Sequence, residues 1–96
     1  MNVGYHPAVQ GDLNRAQRRY DQESSRLGDD FSDKLTSFIQ DIAANPMRFH
    51  LYAKDLRRAN LKRFPYHILY RILPDRVRVI ALRHHRQHPS FGLQRR

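Results

Sequence analysis

The side chains able to do chemistry crowd into one stretch of this 96-residue chain, Leu61 to Pro89, LKRFPYHILYRILPDRVRVIALRHHRQHP. An imidazole exchanges its proton near neutral pH, so His67, His84 and His85 are candidates for general acid or base. A guanidinium grips a carboxylate or phosphate with paired N–H donors, so Arg63, Arg71, Arg78, Arg83 and Arg86 are candidates for holding an anion. The spacing His84-His85-x-x-His88 also invites a metal reading, because three imidazoles suit zinc. No carboxylate is close in sequence and Arg83 and Arg86 repel a cation, so neither a metal site nor a cofactor is expected. Blander roles stand beside these. His84 can anchor a strand end by hydrogen bonding, Phe91 can dock the tail by packing, and Gln94-Arg95-Arg96 reads as a frayed terminus.

These residues need a scaffold, and the pattern supplies an antiparallel hairpin. Tyr66, Ile68, Tyr70 and Ile72 alternate with His67, Leu69, Arg71 and Leu73, and Val77, Val79 and Ala81 alternate with Arg78, Ile80 and Leu82. Period-2 spacing of β-branched and aromatic residues predicts two strands. Pro74 cannot enter a turn that needs positive φ, so a four-residue loop on a type I turn is expected over Leu73-Pro74-Asp75-Arg76. Ile72 and Val77 then close the hairpin, Tyr70 faces Val79, and Ile68 faces Ala81. One face becomes wholly apolar. The other sets Arg71 opposite Arg78, a destabilising pair unless the two snorkel apart or meet an anion. Nucleic acid and an acidic partner protein both fit that description.

Charge is lopsided. Eighteen Lys and Arg against nine Asp and Glu give a net +9. Apart from Asp55 and Asp75, all the acids lie before Asn45, so the basic work belongs to the C-terminal half. Such a balance suits phosphate backbones, an anionic surface or an acidic protein. The length predicts one domain, residues 1–96, with a modest core. Cysteine is absent, which excludes disulfides and thiolate metal sites. No apolar run nears the roughly 18 residues of a membrane span, and MNVGYHPAVQ lacks a signal-peptide core, so no membrane role and a cytoplasmic location are expected.

The N-terminal half reads as support. Asn2 to Tyr5 suggests a short strand. Pro7 suits a helix start, and Val9, Leu13, Ala16, Tyr20 and Leu27 recur at helical spacing. Gly28 is expected to end that helix as a left-handed cap, with Asp29 or Asp30 capping the next. Phe31, Leu35, Phe38, Ile39 and Ile42 form the second apolar stripe, and Asn45-Pro46 stops it. Met47 to Asp55 is ambiguous between loop and strand, and Leu56 to Phe64 reads as a strand. The expected fold class is α+β, an N-terminal helical hairpin packed on a small antiparallel sheet.

In this order the residues resemble a known family. YHPAV, then Tyr20, LGDDF at 27–31, Asn45-Pro46, Arg63-Phe64-Pro65-Tyr66 with Tyr70, and His84-x-Arg86-x-x-Pro89-x-Phe91 are similar to the RelE/ParE superfamily, toxins of type II toxin–antitoxin systems often described as plasmid stabilisation proteins. The resemblance covers nearly the whole chain. It implies a growth-inhibiting toxin, a cognate antitoxin protein as partner, and a toxin–antitoxin hetero-oligomer. It also implies one of two targets. RelE-like members cut mRNA in the ribosome, which would make His67, His84 and His85 acid and base and the arginines phosphate clamps. ParE-like members poison DNA gyrase. RelE-like nucleases tend to carry an arginine where this chain has His67, and a tail tyrosine where it has Phe91. The ParE-like reading is therefore preferred, with the ribosome-dependent endoribonuclease as alternative. A non-catalytic basic nucleic-acid-binding module is a further alternative.

Overall fold

The computed structural model describes Met1–Arg96. Strand β1 (Asn2–Tyr5) leads into helices α1 (Val9–Glu23) and α2 (Ser25–Ala44). A 3-10 turn, Pro46–Arg48, and four strands follow: β2 (His50–Ala53), β3 (Leu56–Asn60), β4 (Tyr66–Ile72) and β5 (Arg76–His84). The five strands form one sheet in the order β1-β5-β4-β3-β2. The β2 to β5 pairings are antiparallel as expected, but β1 runs parallel to β5 along the edge, making the sheet mixed. The long connection between them, the helical hairpin and three antiparallel strands, lets β5 come to lie parallel to β1.

The helical hairpin forms, with its break four residues earlier than expected. Ser24 alone joins the helices: its backbone is extended (φ −167°, ψ 149°) and its Oγ accepts the Leu27 N–H at 3.0 Å. That is ordinary N-capping, and Asp29 and Asp30 lie inside α2 instead of capping it. Gly28 is helical too. It is buried where α2 meets α1, and a Cβ there would displace only the exposed Asp21 carboxylate, which can turn aside. Gln17 Nε2 crosses the gap to donate to the Gly28 carbonyl at 2.8 Å. The chain ends α2 at Asn45-Pro46, as the proline requires.

The helices cover one sheet face with an aromatic cluster. Tyr20 lies 4.9 Å from Phe31 and 5.0 Å from Phe64 between ring centroids, and Phe31 lies 5.6 Å from Tyr66. Phe31, Ile42, Ile68, Tyr70, Val77 and Val79 are all buried in this core.

The hairpin register follows expectation from Ile72↔Val77 through Arg71↔Arg78 to Tyr70↔Val79, and then shifts. A bulge leaves Ile80 unpaired, so Leu69 meets Ala81 and Ile68 meets Leu82. One extra residue reverses the facing of everything after it. Hence Leu82, rather than Ala81, joins the helix-side core. Strand β3 stops at Asn60, short of the expected Phe64, and the chain bends through Leu61–Pro65.

The second sheet face is buried as well. Leu69, Ile80 and Ala81 are inaccessible although the helices do not cover them. The tail after β5 folds back over this face. Gly92 adopts φ +81°, and a Cβ there would come within 3.0 Å of the Ala81 Cβ. Arg95 Nη1 donates to Asp12 Oδ2 at 2.6 Å and to the Ile80 carbonyl at 3.2 Å. The frayed terminus expected at Gln94-Arg95-Arg96 is therefore a docked strap, held by a carboxylate from α1.

Candidate functional site at the histidine-rich end of the sheet

Strands β4 and β5 bring His67 opposite Arg83 and Tyr66 opposite His84. The turn after β5 then returns His85 over His67, with the rings stacked at 5.1 Å and 14°. Three of the expected residues thus meet in one chain of hydrogen bonds. Arg83 Nε donates to His67 Nε2 at 2.7 Å. The guanidinium has no lone pair to offer, so Nε2 accepts and the His67 proton sits on Nδ1. That proton points at His85 Nδ1, 2.9 Å away. His85 in turn keeps its own proton on Nε2. His84 is fixed likewise: its Nδ1 accepts the Arg86 backbone N–H at 3.0 Å, and its ring meets Tyr66 edge-on at 4.9 Å.

Electrostatics reinforce the geometry. His67 is buried, which pushes its pKa down to about 3, helped by Arg58 and Arg83. Burial also lowers His84 and His85, with Arg19 adding to the first and Arg58 to the second. All three are neutral imidazoles, and each has its lone pair already accepting a hydrogen bond. No ring presents a free base to a substrate. No carboxylate is hydrogen-bonded to any of them, and no three His, Asp or Glu side chains converge as metal ligands.

The arginines divide into groups. Arg83 is 2% exposed and bonds the Pro89 carbonyl at 2.6 Å and that of Phe91 at 3.3 Å, so it clamps the tail in place of an outside anion. Arg71 and Arg78, opposite each other as expected, also find internal acceptors. Arg71 takes Asp55 at 3.1 Å and the Arg95 carbonyl at 3.3 Å, while Arg78 takes the Arg96 carbonyl at 3.1 Å. The like-charge pair is relieved by the chain's own tail. Arg63 lies apart at the β3–β4 bend with Asp30 at 3.3 Å. Arg86 is exposed and its guanidinium bonds to nothing.

Two residues escaped the sequence reading. Tyr52 of β2 meets two guanidiniums, that of Arg83 at 5.1 Å and that of Arg58 at 5.6 Å from its ring centroid. Arg58 sits beside His67 across the β3–β4 ladder, where Asn60 pairs with His67. Nothing local marked Tyr52, because β2 carries a register shift between Leu51 and Ala53.

A two-helix layer packed on one face of a five-stranded sheet is the fold of a RelE/ParE-type toxin. A family model described as "ParE toxin of type II toxin-antitoxin system, parDE" matches residues 3–89. The chain belongs to that family. Among solved structures it is similar to one titled "Chromosomal ParDE TA system from P. aeruginosa", with a TM-score of 0.76 at 12% identity. That match covers 88% of this chain and 95% of the other and speaks for the fold. No curated protein matches significantly.

Proposed function

We propose that this toxin acts without cutting RNA, on a protein target of the DNA gyrase kind, and is neutralised in the cytoplasm by a cognate antitoxin protein in a hetero-oligomer. One observation carries the reading: the lone pairs of His67, His84 and His85 are all engaged within the chain. Cleavage by a 2′-hydroxyl needs a base to accept its proton and a cation free to meet the phosphorane charge. Here the base is missing and Arg83 is committed to the tail. Arg86, exposed and unpaired, is the side chain at this end left to meet a partner.

The test adds purified chain to ribosomes on a programmed mRNA, maps 3′ ends by primer extension, and runs gyrase supercoiling in parallel. Loss of supercoiling with intact mRNA supports the proposal. Cleavage in the ribosomal A site overturns it in favour of the endoribonuclease, with His67, His84 and His85 the first residues to substitute. Arg86→Ala should reduce toxicity with little loss of fold.

A further inference from the structure

A cleft of about 420 Å³ elsewhere on the molecule is lined by none of the histidines. It lies between the C-terminal half of α2, the segment around the 3-10 turn, and the β3–β4 bend. Lys34, Phe38 and Asp41 share one face of α2 by their i, i+4, i+7 spacing. The turn contributes Arg48 and Phe49, and the bend contributes Lys62, Arg63 and Phe64. Four cations and three phenyl rings therefore meet one opening, with Asp41 the only acid in its wall.

The charges there are poorly neutralised. Lys34, Arg48 and Lys62 make no ion pair, and Arg63 has only a solvent-exposed one with Asp30. Like charges lining one opening repel one another, and a bound anion relieves that repulsion. The rings add a second preference. Phe38 and Phe49 are half-buried and meet edge to face at 5.6 Å. The Arg48 and Arg63 guanidiniums lie 5.5 and 5.4 Å over Phe49 and Phe64, extending flat stacking surfaces to the rim. Planes interleaved with cations suit a nucleobase bearing phosphate better than a carboxylate side chain. The volume falls in the small-ligand range of about 300–1,000 Å³.

We propose that this cleft binds a nucleoside phosphate, its base against Phe38 and Phe49 and its phosphates on Lys34, Arg48 and Lys62. A free nucleotide and a nucleotide of single-stranded nucleic acid carry the same chemistry. The proposal is independent of the toxin's target.

The experiment titrates the full chain with ATP, inorganic tripolyphosphate and a short oligo-dT by calorimetry at about 0.15 M salt. Saturable one-to-one ATP binding is expected, roughly tenfold weaker in R48E/K62E, where two phosphate contacts become repulsions. Phe38→Leu keeps the packing, loses the stacking plane, and should lower ATP affinity toward that of tripolyphosphate. R18E/R26E removes equal charge from exposed helix sites elsewhere and should leave binding unchanged. Tighter binding of ATP than of oligo-dT supports the site and assigns it to free nucleotide; the reverse order, with ATP displaced, supports it and assigns single strands. Tripolyphosphate binding as tightly as ATP overturns the proposal, as does equal weakening by R18E/R26E or absence of binding. Should Phe38→Leu fail to fold, the two charge-reversal variants decide.

Discussion

The two faces of the sheet are buried by opposite means. On the helix side, burial is apolar: Tyr20, Phe31, Phe64 and Tyr66 interlock and the contacts come from side-chain carbon. On the far side a short tail does the covering, and directional polar bonds hold it. Guanidiniums of Arg71, Arg78 and Arg83 reach tail carbonyls, and Asp12, 4% exposed, receives Arg95, Arg15 and the Leu82 N–H. Apolar area is non-directional and tolerates small shifts. A buried carboxylate is tolerable only while its partners stay in place. The first face should therefore fail globally when damaged, and the second should open locally.

Phe31→Ala should have the largest effect. The ring is fully buried among three aromatics, so about 3–5 kcal/mol of stability is expected to be lost. Denaturant unfolding with unchanged m-value would show it. Amide exchange should accelerate everywhere, the tail included. Asp12→Ala comes next, at about 2–3 kcal/mol, below the range of about 3–5 for a fully buried pair because Arg15 is exposed. Its signature is different: faster exchange confined to Ile80–Leu82 and the tail, with α2 protected. Uniform acceleration in both variants would abolish the distinction between the faces.

Acid should sharpen the comparison, because only the far face carries a buried imidazole. The folded His67 pKa is about 3, against 6.5 ordinarily, so the unfolded chain takes a proton that the native one refuses. His67 therefore contributes stability above about pH 6.5 that is lost progressively as pH falls toward 3, at up to about 1.4 kcal/mol per pH unit. His84 and His85 are lowered too and push the same way. Melting temperatures of wild type and His67→Gln across that window would test this. The variant should show a shallower slope, and identical slopes would refute a neutral buried His67.

The same division explains what could be read from the sequence. The helix-side face announces itself through period and composition, and the turn at Pro74 set the register correctly for three pairs. The bulge at Ile80 was invisible, since an unpaired isoleucine in an apolar run keeps the alternation looking intact. Gly28 misled because a glycine buried inside a helix has the same letter as one needed for positive φ. The strap was missed for a different reason. Arg95 is an ordinary terminal cation until the fold brings Asp12, 83 positions earlier, beneath it. Arg71, Arg78 and Arg83 were found by type, but composition does not reveal which acceptors the chain's own tail supplies to them.

The smallest expected effect falls on Arg71. The residue looks costly to remove: it sits on the far face and makes three hydrogen bonds, two to Asp55 and one to the Arg95 carbonyl. Yet Asp55 is 68% exposed, and exposed ion pairs contribute roughly 0–1 kcal/mol. Removing Arg71 also relieves its opposition to Arg78, which recovers part of the loss. Arg71→Ala should therefore shift stability by less than about 1 kcal/mol, and exchange at the tail should rise only near Arg95. A loss as large as that of Asp12→Ala would mean that the strap is held collectively by its arginines, and that Asp12 is one clamp among several rather than the anchor.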